Sequence, residues 1–343
     1  SYKQLLKIAN EQCEEMIFSV QCIKQYGYSN TRNITYGNRC TAGSMWNNYL
    51  PNPHFVESFE TATGEKFNWD NYLPGYSAMK EKERVVFFLR DGLSAAEKER
   101  MAAYGADMNK YLDSGNEARI KKAYESRDPR LQMAVITPYA QYNGASSGIA
   151  HTYTLRWPYR GSDSAEPFDI RTDTNDKFYY LWRKFVAEGL EQTERDTYGL
   201  DIPLIRYAEV LLLKAEALNE WGSTHESEAI RCVNGVRRRA GHVEVNNATY
   251  PATKVNGQSD LRERIRNEYY WEIGGEDSMY FHELRWGTWK DKKFDNNRNG
   301  LMQMWGETTY TWYWLGDQCW SWPIPAKEME MNSNLEQNEG WIN

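Results

Sequence analysis

Three short segments combine aromatic rings with amide, carboxylate or guanidinium groups. They are Trp46-Asn47-Asn48-Tyr49, Trp69-Asp70-Asn71-Tyr72 and Arg156-Trp157-Pro158-Tyr159-Arg160. Because a sugar ring has an apolar C–H face and a rim of hydroxyl groups, a saccharide site needs a ring to stack on and polar groups beside it. Each of these rings could equally pack on the protein core. The residues predicted to contact a ligand are Trp46, Asn48, Tyr49, Trp69, Tyr72, Trp157, Tyr159 and Arg160.

The residue types that commonly carry catalysis or hold metals form no recognised pattern in this chain. The five histidines lack the i, i+4 spacing of a helical metal pair, and the five cysteines lack metal-site spacing. No phosphate-binding loop, nucleophile elbow or dinucleotide fingerprint occurs. Acid pairs at helical spacing are more typical of salt bridges than of catalysis. We therefore expect no cofactor, no metal and no catalytic residue.

Composition limits the class of protein and its partners. The chain has 343 residues, a hydrophobic fraction of 41% and a net charge of −7. Basic and acidic residues are interspersed, which argues against nucleic acid as a partner. No run of 18 apolar residues is present, so no transmembrane helix is predicted. Cys13, Cys22 and Cys40 are close enough in sequence for one disulfide, although free buried thiols fit equally well.

A helical hairpin over residues 201–241 is the best-defined element. Apolar residues recur every three or four positions and predict a helix over Asp201–Trp221, with Pro203 in its first turn. A second apolar stripe, formed by Val210, Leu213 and Ala217, indicates a helix covered on both sides. The next helix, over residues 223–241, completes a hairpin close in size to the tetratricopeptide unit of about 34 residues.

The remaining elements follow in chain order. A strand is predicted over residues 15–21, a loop-rich aromatic segment over 24–80, and helix over 94–124 with Ser94 as its cap and Pro129 as its stop. A short strand over 131–136 and an irregular aromatic segment over 138–168 come next. The segments 24–80 and 138–168 are the candidate ligand-binding segments. Ser259 is expected to cap another helix, residues 291–320 to form a loop, and a tail containing Trp320, Trp322 and Ile324 to be packed away from water.

Four segments between residues 127 and 341 carry patterns that occur together in one family. They are Arg127 to Leu131 (RDPRL), PLIRYAEVLLLKAEALNE followed by EAIRCVNGVRRRAG, Ile265 to Trp286, and Pro323-Ile324-Pro325 with Glu328, Asn332, Leu335, Gln337-Asn338 and Gly340. In this order they resemble the SusD/RagB family of surface nutrient-binding lipoproteins of Bacteroidetes. The family's Arg and Glu residues look like a buried charge network. Here Tyr269 stands where the family usually has Arg, and Asp277 and Met279 replace Gly and Arg.

The resemblance implies a mainly α fold: a SusD-like α-α superhelix with tetratricopeptide-like hairpins, long loop-rich segments and a few short strands. It implies one module over residues 1–343 that lacks the N-terminal portion of the family pattern, including the lipid anchor that would hold it to the membrane. We read the chain as a C-terminal fragment or another incomplete form of the family pattern.

The resemblance also implies a role. SusD-like proteins bind oligosaccharide or polysaccharide at the outer-membrane surface without cleaving it, and deliver it to a SusC-like TonB-dependent transporter. Two alternatives stay open. The first is RagB-like peptide binding for uptake. The second is a secreted helical glycoside hydrolase, which should place two carboxylates about 5 to 9.5 Å apart across a cleft.

Overall fold

A computed structural model of the protein describes residues 2–161, 165–170, 177–192, 194–294 and 300–342. These residues form a mainly helical protein with short strands, as predicted. The helices are α1 Tyr2–Leu5, α2 Arg32–Tyr36, α3 Pro53–Ser58, α4 Glu81–Arg84, α5 Ala95–Tyr104, α6 Asn116–Glu125, α7 Pro129–Ala134, α8 Tyr207–Trp221, α9 Glu226–Ala240, α10 Gln258–Ile273, α11 Ser278–Arg285, α12 Trp289–Phe294 and α13 Ala326–Met331. The strands are β1 Met16–Val20, β2 Val135–Ile136, β3 Gln141–Ser146, β4 Ile149–Thr154, β5 Phe168–Asp169, β6 Leu181–Trp182, β7 Ile202–Arg206, β8 Leu301–Met302 and β9 Thr308–Tyr310.

The chain divides into two compact units. Unit 1 comprises Ser1–Glu276 and Met302–Glu307, and unit 2 comprises Asp277–Leu301 and Thr308–Asn343. Unit 1 contains the main hydrophobic core, which is rich in buried aromatic rings, and the antiparallel strand pairs β1–β7 and β2–β6. In unit 2, Trp314 lies between the rings of Phe294 and Trp320, at centroid distances of 5.2 and 5.3 Å.

The predicted hairpin is present as α8 and α9, which pack against each other and against α10. Its start was predicted wrongly, because residues 202–206 form strand β7 and the helix begins at Tyr207. The Ile-Pro-Leu-Ile sequence suits a two-stranded ribbon, in which Pro203 lies opposite Ser19. The Tyr207 amide then donates to the Glu15 carbonyl at 2.8 Å, which ends the ribbon.

The second apolar stripe of α8 is not covered, contrary to the sequence prediction. Val210 and Leu213 are 39% and 42% exposed. The buried positions Ala208, Leu212 and Ala215 share one face of the helix. Within the described residues, α8 therefore buries a single face against its helical neighbours.

Several local predictions are confirmed and others are corrected. Strand β1 and the reciprocal cap between Ser94 and Glu97 at the start of α5 are as predicted. Pro129 starts α7 instead of ending a helix, because the Asp128 side chain accepts from the Arg130 amide at 2.9 Å and Pro suits the first turn. Consequently the predicted strand over 131–136 shrinks to β2. The Ser259 cap is also wrong, since Gly257 precedes α10.

Further corrections concern the loops and the tail, and the open choice between a disulfide and free thiols is decided for free thiols. The segment 138–168 contains the ordered hairpin β3–β4, and residues 291–320 contain the end of α12 as well as β8 and β9. In the tail, Trp322 is 75% exposed, whereas it was expected to be covered. All five cysteines are free thiols.

Arg130 of α7 and Arg237 of α9 both pair with Glu268 of α10 in the interior of unit 1. Arg130 Nη1 lies 2.6 Å from Glu268 Oε1, and its Nη2 lies 2.6 Å from Asp128 Oδ2. Arg237 Nε lies 2.9 Å from the other oxygen of Glu268, and its Nη2 lies 3.0 Å from Glu60. The side chains of Arg130, Arg237, Glu268 and Asp128 have no solvent exposure. Helices α7, α9 and α10 are thereby joined by buried charge pairs.

Arg206, at the end of β7, extends this network to Glu272, one helical turn after Glu268 on α10, and to Glu276. Its guanidinium donates to Glu272 at 2.9 Å and to Glu276 at 2.7 and 2.9 Å. Lys184 completes the network, since its ammonium lies 2.5 Å from Glu276. Burial lowers the pKa of this lysine to about 8, although the negative charge of Glu276 acts to raise it. The network therefore forms although Tyr269, which is buried in α10, stands where the family pattern usually has Arg.

Burial and ion pairing act in opposite directions on Glu272. Burial by itself raises the pKa of this carboxyl, but the guanidiniums of Arg239, Arg206 and Arg130 more than offset it and hold the pKa well below its ordinary value. A carboxyl with a lowered folded-state pKa stabilises the fold above its unfolded pKa of about 4.3 and loses that contribution as the pH falls.

Glu272→Gln is predicted to lower the free energy of unfolding by about 3–5 kcal/mol at neutral pH, because it leaves buried guanidiniums without their counter-charge. The difference between variant and wild type should shrink as the pH falls below about 4. Urea denaturation at both pH values measures it. Glu220→Gln is the control, since Glu220 forms an exposed bidentate pair with Arg262 at 2.6 and 2.7 Å and should cost less than about 1 kcal/mol. Equal losses in the two variants would contradict a special role for the buried network.

Candidate functional site

The floor of the candidate site is the hairpin of β3 and β4, with β5 beside it. Tyr142 pairs with Tyr153 across the hairpin, and β5 runs parallel to β4 with Phe168 next to Tyr153. The turn consists of Ser147 and Gly148, whose φ angles are 51° and 77°. Two successive residues with positive φ give the turn twist that matches a two-stranded hairpin.

A loop over residues 38–45 lies against this hairpin. The Ala145 amide donates to the Cys40 carbonyl at 2.8 Å, and Thr41 Oγ1 lies 2.8 Å from the Tyr142 hydroxyl. Gly144 permits the close approach, because a Cβ at that position would lie 2.3 Å from the Cys40 oxygen. The loop and the hairpin are thus held in one fixed arrangement.

Asp169 fixes the wall of the site. Its Oδ1 accepts from Arg156 Nη1 at 3.0 Å and from Arg160 Nε at 2.8 Å, and its Oδ2 accepts from the Arg160 amide at 2.9 Å. The neighbouring Pro167 carbonyl accepts from the same two guanidiniums at 3.0 and 2.8 Å. The Asp169 side chain is fully buried, and its charge-assisted bonds tie residues 156–160 to β5.

Together these segments enclose an open cleft of about 590 Å³, a volume typical of small-molecule sites. Its lining combines glycine backbone, serine hydroxyls and aromatic rings. The lining residues are Arg39, Cys40, Ala42, Gly43, Ser44, Ala145, Ser146, Ser147, Gly148, His151, Tyr153, Tyr159, Gly161, Phe168, Asp169 and Leu190.

The charged groups of this lining have partners within the protein. His151 Nδ1 lies 3.1 Å from Glu166 Oε1, which also accepts from the Thr152 amide at 3.1 Å. Asp169 is held by its two arginines, and Arg39 also has an interaction partner. Among the described lining residues, Asp169 is the only carboxylate. The surface offered to a ligand is therefore mainly hydroxyl, peptide and ring.

The first predicted segment is exposed beside the cleft. Trp46 follows the lining residue Ser44 by two positions, is 48% exposed, and has the Arg195 guanidinium 5.2 Å from its ring centroid. Tyr49 is 58% exposed and lies 5.5 Å from the ring of Tyr36. Backbone bonds from Trp46 and Asn48 to residues 34 and 35, at 2.9 and 2.8 Å, hold the segment in place. Its side chains are available to a ligand.

The other predicted residues divide between the wall and the core. Tyr159 lines the cleft and Arg160 belongs to its wall. Trp69 is buried and stacks on Tyr76 at 4.9 Å. The partly buried Tyr72 stacks on Phe67 at 5.7 Å, and the buried Trp157 stacks on Phe178 at 5.6 Å. We therefore leave Trp69, Tyr72 and Trp157 out of the candidate ligand surface.

Sequence reasoning missed most of the residues that line the cleft, including Ser44, Ser147, Tyr153, Phe168 and Asp169. A signal for the hairpin was present, because Ser147-Gly148 separates two runs of strand-forming residues, QYNGAS and IAHTYT. The many aromatic and polar residues of the segment 138–168 instead favour an irregular conformation, and this prediction is wrong for the hairpin. The contribution of loop 38–45 has no comparable local signal.

Among the residues that the structure describes, no cluster of three or more His, Cys, Asp or Glu side chains is placed to hold a metal ion. In the same part of the chain, no helix combines the length and the apolar character that crossing a bilayer requires.

Comparison with known proteins gives matches in sequence and in structure. The model of the SusD family matches residues 14–341. The chain is 33% identical over 139 residues to the SusD-like protein P38 of Formosa agariphila, covering 40% of this chain and 24% of that protein. It is 28% identical over 161 residues to the starch-binding protein SusD of Bacteroides thetaiotaomicron, covering 47% of this chain and 25% of that protein.

Two solved structures share the fold at low identity. A SusD-like protein from Bacteroides fragilis NCTC 9343 has a TM-score of 0.63 and 21% identity, covering 99% of this chain and 57% of that one. A SusD-like carbohydrate binding protein from the same organism has a TM-score of 0.60 and 20% identity, covering 98% and 57%. This chain thus spans little more than half the length of the solved relatives.

Asp169→Asn is predicted to loosen the wall of the cleft. The asparagine amide carries no negative charge to neutralise the two arginines, so the free energy of unfolding should fall by about 2–4 kcal/mol. Amide hydrogen exchange over residues 156–161 should become faster than in the wild type. Glu166→Gln is the control, since Glu166 is half-exposed and its pairing with His151 should matter little for either measurement. Unchanged exchange in Asp169→Asn would show that other contacts hold the wall.

Trp157→Ala is predicted to act on stability. Removing this buried ring should cost about 3–5 kcal/mol, because a cavity is left against Phe178. Chemical denaturation measures the loss. A variant with wild-type stability and weakened ligand binding would instead return Trp157 to the ligand surface.

Proposed function

This chain belongs to the SusD family, and we propose that it binds glycan at the bacterial cell surface without cleaving it. The observation that carries the proposal is the open cleft, where hydroxyl and peptide groups lie beside the ring of Tyr159. The exposed Trp46-to-Tyr49 segment follows the lining residue Ser44 in the chain. This combination matches the two chemical faces of a sugar, since rings stack on its C–H face and hydroxyls bond its rim.

The chemistry of the cleft favours binding over hydrolysis. A glycosidase needs one carboxyl group to protonate the leaving oxygen and a second to act as nucleophile or base. Among the described lining residues the single carboxylate, Asp169, is buried and accepts from two guanidiniums. An acid engaged in this way is poorly placed to transfer a proton or attack a substrate.

The proposal includes a place and a partner. Resemblance to SusD/RagB proteins supports an outer-membrane surface location, attachment through a lipid anchor, and delivery of the bound oligosaccharide to a SusC-like TonB-dependent transporter. Co-purification of such a transporter with the tagged protein from its own cells tests the partner. Purification of the protein without any TonB-dependent transporter, from membranes solubilised in mild detergent, would count against delivery.

The ligand class is tested with the purified chain in affinity gel electrophoresis. The panel contains the neutral polysaccharides amylopectin, galactomannan and xyloglucan, the acidic polysaccharides alginate and polygalacturonate, and mixed peptides measured by calorimetry. We expect retardation by at least one polysaccharide and no heat from peptides. Binding of peptides alone would favour the RagB-like alternative, and release of reducing sugar would favour the hydrolase.

Trp46→Ala is predicted to weaken polysaccharide binding by about ten- to a hundredfold, because an aromatic platform contributes about 1–3 kcal/mol. Trp221→Ala is the matched control, since Trp221 is 75% exposed on α8 and lies outside the cleft lining. The midpoint of thermal unfolding should be similar in both variants. Equal loss of binding in the two would indicate nonspecific retention by surface tryptophans.

A further inference from the structure

Two serines of the cleft have an unfavourable backbone conformation. Ser44 and Ser147 have φ angles of 57° and 51°, in the left-handed region that glycine adopts easily and other L-residues avoid. Each stands next to a glycine that also has positive φ, Gly43 or Gly148. A glycine at either serine position would remove the steric cost and leave the turn intact.

The two strained serines come from separate segments and converge on one cleft. Ser44 lies in loop 38–45, Ser147 lies in the β3–β4 turn, and both line the cavity. The two segments are joined by the bond from the Ala145 amide to the Cys40 carbonyl. Backbone strain that persists at a ligand-sized cavity indicates that the side chain, not the turn, accounts for the residue type.

Neither serine hydroxyl is used by the fold. Both residues are exposed, and neither hydroxyl has a hydrogen-bond partner among the residues that the structure describes. A serine hydroxyl can donate one hydrogen bond, accept two, and rotate to suit its partner. It is therefore suited to another hydroxyl, which also donates and accepts.

We infer that Ser44 and Ser147 are specificity-determining residues that hydrogen-bond the hydroxyl groups of an uncharged saccharide. This inference rests on the proposed glycan-binding function and names the ligand class of the same cleft. We take the ligand to be uncharged because the ionic groups described at the cleft already have partners: Asp169 has its two arginines, His151 has Glu166, and Arg39 has an interaction of its own. A carboxylate or sulfate group on the ligand would have to compete with existing partners for the guanidiniums of Arg39, Arg156 and Arg160.

The test separates the hydroxyl from the backbone by two substitutions at each position. Ser44→Gly and Ser147→Gly remove the hydroxyl and relieve the backbone, so the midpoint of thermal unfolding should stay the same or rise. Ser44→Ala and Ser147→Ala remove the hydroxyl and keep the strain, so the midpoint should stay the same or fall. All four should weaken binding of the best-retained neutral polysaccharide by about fivefold to tenfold, the effect of one hydrogen bond.

Ser223→Ala, at an exposed serine outside the cleft lining, should bind as the wild type does. A glycine variant that is at least as stable as the wild type and binds more weakly supports the inference, because a purely structural role would not lower affinity. Wild-type affinity in all four variants overturns the role of the serines while the proposed function stands. A preference for alginate or polygalacturonate overturns the uncharged ligand, and absence of binding to every polysaccharide removes both the inference and the function.

Discussion

The architecture of unit 1 depends on charge pairs removed from water. Arg130, Arg206 and Arg237 come from different helices and strands, and all three are neutralised by acids on or just after α10. Taking such groups out of water costs several kcal/mol per ion, and only close, complementary pairing offsets that cost. A shift of one helix by a single turn would leave a buried charge unpaired. The network therefore restricts how α7, β7, α9 and α10 can be arranged, more sharply than apolar packing alone would.

The same network reaches the candidate site through one segment of chain. Lys184 is buried and lies 2.5 Å from Glu276, which also pairs with Arg206. In the segment that follows Lys184, the Ala187 carbonyl accepts a hydrogen bond from the Tyr142 hydroxyl at 2.8 Å. The Gly189 amide then donates to residue 143 at 2.7 Å. The hairpin that forms the floor of the cleft is thus hydrogen-bonded to a segment whose start is held by buried charge. A rigid floor reduces the entropy lost when a ligand binds.

The sequence predicted those parts of the fold whose cause is local. The spacing of apolar residues specified α9, and the Ser94–Glu97 pair marked the start of α5. Predictions failed where a distant partner decided the outcome. Residues 202–206 were placed in a helix because their apolar spacing continues that of α8, but pairing with β1 makes them a strand. The Val210 stripe was expected to be covered, yet the residues described here place no element over it. Periodicity shows which faces of a helix are apolar, but the number of elements that pack against those faces is decided by the whole fold.

Part of the candidate site could be predicted from composition. The rest could not, because it depends on contacts between parts of the chain that are distant in sequence. Trp46 and Trp157 stand in segments of similar make-up, yet Trp46 is half-exposed whereas Trp157 is covered by Phe178 and Trp305 from later parts of the chain. No residue near Trp157 in sequence signals that burial. The cleft itself is assembled from residues 39–44, 145–161, 168–169 and Leu190, so its position is defined only after loop and hairpin have joined. What the local sequence does contain is the strain at Ser147, since a serine in place of the usual asparagine or glycine at the first turn position is unfavourable for folding. The fold alone gives no reason for a serine at this position, and this is why Ser147 supports the proposed binding surface independently of aromatic content.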